Sequence, residues 1–115
     1  MAATRAGWRP SARVYDEIVP AEVQAWLEGG AKLVDVREPW EFATGRLPGA
    51  VNIPIGEVVA RQEELTTPLV LVCAIGSRSG RVAEYLAQRG MSRVANLVGG
   101  TVAWIQEGRV LEHDG

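Results

Sequence analysis

A chain of 115 residues with 47% hydrophobic and 23% charged residues can bury one core, and this composition argues against intrinsic disorder. Its net charge of −2 argues against a nucleic-acid surface, and no stretch approaches the roughly 20 apolar residues of a membrane-spanning helix. The single cysteine excludes an internal disulfide, and residues 1–10 do not resemble an apolar secretion segment, so we expect a reducing, cytoplasmic location.

Apolar patterns and turn residues divide the chain into alternating strands and helices. The predicted organisation is an arm at residues 1–12, one domain at residues 13–109 and a tail at residues 110–115. Strands are predicted at residues 14–19, 31–36, 50–52, 69–72 and 94–97. Helices are predicted at residues 21–28, 56–65, 79–89 and 101–107, and a turn at residues 39–43. This alternation favours a parallel sheet covered by helices on both faces.

Apolar side chains at helical spacing are expected to face the core of this sheet. The third helix carries the clearest stripe, formed by Val82, Ala83, Leu86 and Ala87. Further residues expected to pack inside are Trp40, Phe42, Val58, Val59, Leu65, Trp104 and Ile105.

The cysteine stands between a buried strand and a helix. Cys73 follows four aliphatic residues, and Gly76 can adopt backbone angles that let N–H groups turn inward. Inward N–H groups and the positive end of the helix dipole both favour an anion, which lowers the pKa of a thiol. A lone cysteine is often only a small buried hydrophobe. Its position at the carboxyl end of a strand favours a thiolate nucleophile instead.

Three segments resemble one known family. The pattern Cys73-x-x-Gly76-x-Arg78-Ser79 is similar to the active-site loop of rhodanese-like single-domain sulfurtransferases. Residues 41–54 resemble the family's Gly-His-Ile-Pro-Gly-Ala-x-Asn-Ile-Pro segment, and residues 97–104 its Gly-Gly-x-x-Ala-Trp ending. The resemblance implies a three-layer α/β/α fold with a five-stranded parallel sheet in the order 3-2-4-5-1. That order places Asp35 beside the Cys73 loop.

The same resemblance implies a reaction. Cys73 would take the outer sulfur of a donor such as thiosulfate, expel sulfite and hold the sulfur as a persulfide. A thiophilic acceptor, which is cyanide, a small thiol or a protein, then collects it. The N–H groups of residues 74–78 would stabilise the thiolate and the persulfide, so the substrate-binding loop consists of Ala74, Ile75, Gly76, Ser77 and Arg78.

Two arginines carry two interpretations each. Arg78 either binds an anionic donor or pairs with Asp35 or Glu41 and holds the loop closed. Arg46 occupies the position where the family usually has histidine, so it is either a second anion contact at the entrance or a solvated surface residue.

Loop support is expected from Asp35 and Ser79. Asp35 would cap the turn after its strand, since an unpaired carboxylate beside a thiolate opposes ionisation. Ser77 and Ser79 would cap the following helix, with a contact to the sulfur as the alternative. No cofactor and no metal are expected, because His113 stands alone in the tail. No nucleic-acid or membrane partner is expected either.

Two other functions compete with sulfur transfer. A phosphatase or arsenate reductase of the same fold has a loop resembling Cys-x5-Arg, whereas Cys-x4-Arg in this chain forms a narrower ring of N–H groups. A non-catalytic binding or sulfur-relay module is the other alternative, and the intact Cys73 counts against pure binding. Because Ala74 and Ile75 are uncharged, a protein or low-molecular-weight persulfide is as suitable a donor as thiosulfate.

Overall fold

Five parallel strands form the sheet of the protein, whose computed structural model describes residues 14–114. The strands are β1 (Asp16–Ile18), β2 (Lys32–Asp35), β3 (Val51–Asn52), β4 (Leu69–Val72) and β5 (Val94–Leu97). They lie side by side in the order β1-β5-β4-β2-β3, and each neighbouring pair is parallel. This is the predicted order read from the opposite edge, so the predicted fold class is confirmed.

Among the described residues, three α-helices and two 3-10 helices connect the strands, and a fourth α-helix follows the last strand. The α-helices are α1 (Pro20–Glu28), α2 (Pro39–Thr44), α3 (Ser77–Gln88) and α4 (Gly100–Gln106), and the 3-10 helices are Ile55–Glu57 and Gln62–Glu64. The turn predicted at residues 39–43 is therefore a helix, because Pro39 fits the first helical turn and the Glu41 side chain accepts the Glu38 N–H.

The segment predicted as a continuous helix at residues 56–65 is instead the pair of 3-10 helices. Arg61 lies between them and pairs with both Glu57 and Glu64, which stabilises a compact double turn. A helical period does not apply across such a break. The prediction that Val59 faces the core is therefore wrong, since its side chain is exposed. Val58 and Leu65 are buried as predicted.

Two apolar clusters cover the opposite faces of the sheet, because successive strand residues point to opposite sides. Leu69 and Leu71 of β4 join α3 on one face, and Val70 and Val72 join α1 on the other. The predicted α3 stripe is buried throughout. The prediction that Trp40 and Ile105 lie in the core is wrong, since Trp40 projects from the short helix α2 and Ile105 is exposed on α4, whereas Trp104 packs inward as predicted.

Residues 111–114, which belong to the predicted tail, lie against the domain. Arg46 and Glu112 exchange backbone hydrogen bonds in an antiparallel bridge, with N–O distances of 3.0 and 2.7 Å. Leu111 packs on the α1 side of the sheet, and the His113 ring lies against Gly45. The predicted arm at residues 1–12 lies outside the described residues. Within those residues, no helix has the length and apolar character needed to cross a membrane.

Candidate active site

The cysteine lies at the carboxyl edge of the sheet, beside the end of a neighbouring strand. Cys73 directly follows β4, whose Val72 is paired with Asp35 at the end of β2. Cys73 and Asp35 therefore lie at the same edge of the sheet, as expected from the strand order. Cys73 is fully buried, whereas Ile75 in the loop that follows is 64% exposed.

Three donors surround the cysteine sulfur. Sγ accepts hydrogen bonds from the Gly76 N–H at 3.1 Å, the Ser79 N–H at 3.3 Å and the Ser79 hydroxyl at 3.3 Å. Gly76 makes the curl possible with φ 98°, and a Cβ there would lie 3.0 Å from the Gly99 nitrogen. Within the predicted range of residues 74–78 the Gly76 N–H donates to the sulfur, and the Ser79 N–H adds a donor outside that range.

The serines of the loop do not cap the helix as predicted. Helix α3 begins at Ser77, two residues earlier than expected, with Gly76 as its N-cap and no side-chain cap bond. Ser77 is exposed in the first turn. Ser79 is buried in that turn, and its hydroxyl reaches the sulfur, which was the alternative interpretation.

The environment of Cys73 favours the thiolate. Burial by itself raises the pKa of the thiol, since it removes water from the charged form. Hydrogen bonds from the Ser79 hydroxyl, the Ser79 N–H and the Gly76 N–H, with a smaller contribution from the Ile75 N–H, together outweigh burial and bring the pKa below the ordinary value of a thiol. The same donors can stabilise any other anion centred on this sulfur.

The first turn of α4 holds the cysteine loop in shape from the side. The Thr101 N–H donates to the Cys73 carbonyl at 2.9 Å, and the Val102 N–H donates to the Ala74 carbonyl at 3.0 Å. A Cβ on Gly100 would overlap both carbonyl groups. Close backbone approach therefore requires glycine at this position, which gives a physical reason for the Gly-Gly pattern at residues 99 and 100.

Arg78 is bound to helix α2. Its guanidinium forms a two-point ion pair with Glu41, with Nη1–Oε1 at 2.8 Å and Nη2–Oε2 at 3.0 Å. This pair lowers the pKa of Glu41 to about 2, chiefly through the hydrogen bond from Arg78. Of the two partners predicted for a clamp, Glu41 forms the ion pair, while Asp35 is bound to Arg37.

Asp35 is held by a buried arginine that the sequence interpretation missed. Both Asp35 oxygens accept from the Arg37 side chain at 2.8–3.0 Å, and Oδ1 also accepts the Arg37 N–H in the turn after β2. Arg37 donates further to the Gly45 carbonyl, and Asn52 donates to the carbonyls of Asp35 and Arg37. Asp35 therefore braces this turn and carries a compensated charge. The Asp-x-Arg spacing after a buried strand is the signal that could have identified Arg37.

Arg46 faces the C-terminal residues. It pairs with Asp114 at 2.6 Å, lies 4.0 Å from Glu112 and stacks over the Phe42 ring at 4.8 Å. Its side chain is 14% exposed, so it is not a freely solvated arginine, and the contacts named here are with Phe42 and residues 112 and 114. Its role as an anion contact stays a prediction.

The fold and this edge define a class: an α/β protein that holds a buried, hydrogen-bonded cysteine at the carboxyl ends of parallel strands. The chain belongs to the Rhodanese-like domain family, whose model matches residues 19–107.

Individual relatives agree with this family. The chain is 37% identical over 93 residues to the thiosulfate sulfurtransferase GlpE of Pseudomonas aeruginosa, covering 78% of this chain and 84% of the relative. It is 43% identical over 76 residues to the uncharacterized protein YqhL of Bacillus subtilis, covering 64% of this chain and 60% of that protein. A rhodanese-related protein from Thermoplasma volcanium superposes with a TM-score of 0.78 at 30% identity, covering 87% of this chain and all of its own.

Proposed function

We propose that the protein is a sulfurtransferase that moves sulfane sulfur through a persulfide on Cys73. The thiolate attacks the outer sulfur of thiosulfate, a sulfur–sulfur bond forms, and the bond to the sulfonate sulfur breaks. Its electron pair leaves with sulfite, and the negative charge moves to the outer sulfur of the persulfide. Cyanide or a thiolate then attacks that sulfur, which regenerates the Cys73 thiolate.

The observation that carries this proposal is the set of donors on Sγ. The cysteine sulfur is the nucleophile in the first half-reaction and the leaving group in the second. The hydrogen bonds from Gly76 and Ser79 favour its anion in each role. Burial of Cys73 favours a reactant that projects a single atom, as the outer sulfur of thiosulfate or of a persulfide does.

The cations near the loop bear on the choice of donor. Arg78 is paired with Glu41 and Arg46 with Asp114, so loop N–H groups would provide most of the attraction for a donor anion. Thiosulfate is the practical donor for an assay. A small or protein-bound persulfide is equally compatible with this loop, and a protein thiol is a compatible acceptor. A free thiolate nucleophile also requires a reducing compartment, which favours the cytoplasm.

Phosphoryl transfer is less compatible with the same geometry. It would need a cation directed at the phosphate, but both terminal nitrogens of the Arg78 guanidinium, Nη1 and Nη2, donate to Glu41. The loop also has four residues between Cys73 and Arg78, one fewer than the Cys-x5-Arg pattern.

Intact mass spectrometry tests the proposal directly. Incubation with thiosulfate should add one sulfur atom to the protein, and a reducing thiol or cyanide should remove it. Because Cys73 is the single cysteine, Cys73→Ser should gain nothing and should form no thiocyanate from cyanide. A folded wild-type protein that never gains sulfur from thiosulfate or from a small persulfide would refute the proposal, as would undiminished thiocyanate production by the serine variant.

A further inference from the structure

One buried amide of the sheet is hydrogen-bonded to residues that surround the cysteine sulfur. Asn96 lies in β5 and is 3% exposed, a position where an amide without partners is destabilising. Its Nδ2 donates to the Gly76 carbonyl at 3.2 Å, and its Oδ1 accepts the Ser79 hydroxyl at 2.6 Å. Gly76 and Ser79 are also the residues that donate to Cys73 Sγ. The amide is therefore one contact away from the sulfur by two routes.

The orientation of this amide follows from its partners. The Gly76 carbonyl only accepts, so the NH2 group of Asn96 must face it and Oδ1 must face Ser79. Helix α3 leaves room for the amide at Gly80, where a Cβ would lie 3.2 Å from Nδ2. Glycine is unfavourable inside a helix, so this vacant side of α3 is consistent with a requirement for the amide.

The Ser79 hydroxyl has one proton and two neighbouring acceptors. Oδ1 of Asn96 lies at 2.6 Å and Sγ of Cys73 at 3.3 Å, so the hydroxyl can donate to only one of them at a time, and the shorter contact is the better acceptor while the sulfur is uncharged. A protonated sulfur can donate its own proton to Ser79 Oγ, which satisfies all three groups at once. A thiolate cannot donate, and as a charged acceptor it competes for the hydroxyl proton.

We propose that Asn96 is a positioning residue for Cys73. The Asn96 amide oxygen accepts the Ser79 hydroxyl while the sulfur is uncharged, and the hydroxyl donates to the sulfur once the sulfur is a thiolate. In the thiol, Sγ–H donates to Ser79 and Ser79 donates to Asn96. When the thiol loses its proton to solvent, the hydroxyl rotates to the sulfur, and no bond between heavy atoms forms or breaks. In the persulfide, a step that rests on the proposed function, the charge lies on the outer sulfur and the hydroxyl returns to Asn96.

The charged groups near Cys73 stay unchanged in this comparison. Arg78 of α3 is paired with Glu41 of α2, and Asp35 at the end of β2 is paired with Arg37. None of these residues is altered in the variants below, so a difference in the titration of Cys73 reports on Ser79 and Asn96.

Alkylation by iodoacetamide as a function of pH gives the pKa of Cys73 without any sulfur donor. In Asn96→Leu the Ser79 hydroxyl loses its second acceptor, so this pKa should fall by roughly 0.5–1, as expected when a neutral hydrogen bond no longer competes with a charge-assisted one. Asn96→Asp keeps an acceptor and adds negative charge, so the pKa should rise. It should also rise in Ser79→Ala, and adding Asn96→Leu to that variant should change it no further.

Val94→Ala, in the same strand, is the matched control. It removes buried methyl groups at the start of β5, where Val94 is paired with Leu69 at the edge of the sheet opposite to the cysteine loop, so it should lower stability and leave the pKa of Cys73 unchanged. The proposal is overturned by a folded Asn96→Leu whose pKa equals or exceeds that of wild type, or by an equal decrease in the Ser79→Ala background. If Asn96→Leu does not fold, an unchanged or lower pKa in Asn96→Asp overturns it.

The two proposals fail separately. The predicted pKa changes without any sulfur transfer by wild type would refute only the proposed function. Sulfur transfer by wild type without those changes would refute only the role of Asn96.

Discussion

Replacing Arg78 by alanine should separate the cysteine loop from helix α2. The structure sets the size of the effect through Glu41, whose pKa falls from 4.5 to about 2. A decrease of that size has an upper bound of about 3 kcal/mol. Because the Arg78 side chain is 30% exposed, solvent screening reduces the expected loss of unfolding free energy to about 1–2 kcal/mol. The corresponding decrease in Tm is roughly 5–10 °C.

The pH dependence of this loss has a definite sign. The ion pair lowers the pKa of Glu41 in the folded state, so its contribution is fully present above the unfolded value of 4.5. It disappears as the pH falls from there to about 2, because Glu41 becomes protonated in both states. Urea unfolding near neutral pH should therefore give a lower free energy of unfolding for Arg78→Ala than for wild type. In acid the two free energies should become equal.

Glu41→Gln and Arg81→Ala complete the experiment. Glutamine can still accept the Glu38 N–H but removes the charge, so it should reproduce most of the stability loss. Arg81 is an exposed arginine on the same helix and should tolerate alanine within about 0.5 kcal/mol. Equal stability of Arg78→Ala and wild type, together with a raised KM for thiosulfate, would refute the clamp and favour an anion-binding role for Arg78.

Three further perturbations test the loop itself. Inserting one residue between Cys73 and Arg78 should direct the N–H groups past the sulfur and lower the rate of sulfur transfer on the order of a hundredfold. A folded insertion variant with an unchanged rate would contradict the idea that the loop length suits a single sulfur atom. Gly100→Ala should destabilise the protein more than Gly90→Ala, because both positions have positive φ but only the Cβ at Gly100 meets backbone carbonyls. Equal unfolding free energies of the two variants would show that the cysteine loop can move to accommodate the added Cβ. Alkylation of wild-type Cys73 should reach half its maximal rate below pH about 8.5, the value of an unperturbed thiol, and a midpoint at or above it would contradict the stabilising donors.

The strands are the part of the fold that local sequence predicts best. The predicted bounds of β4 and β5 agree with the structure, because short runs of aliphatic residues between turn residues suit strands buried on both faces. The N–H nest was also predictable, since it depends on a glycine directly after a strand and before a helix. Short segments were less predictable: α2 and the 3-10 helices are each too brief for a periodic pattern to form.

Pairings across the fold were the least predictable part of the site. Glu41 lies 37 residues from Arg78 along the chain, so the sequence favours it no more than Asp35 as a partner. Only the structure shows that Asp35 is bound to Arg37. Asn96 gave no signal at all, because a polar residue in a short apolar run does not reveal which loop packs over it. Only the tertiary structure supplies the neighbour that makes a buried amide or carboxylate favourable.

Backbone contacts hold the first two residues of the loop, and this separates the geometry of the cysteine from the choice of reactant. Thr101 and Val102 hold the carbonyls of Cys73 and Ala74 through N–H groups alone, and no loop side chain takes part in those bonds. The Ile75 side chain is 64% exposed, so substitution there should leave the sulfur and its donors in place while changing what an incoming reactant touches first. We therefore expect Ile75 to influence the choice of donor or acceptor through contact, and Ser79 with Asn96 to influence the reactivity of the sulfur.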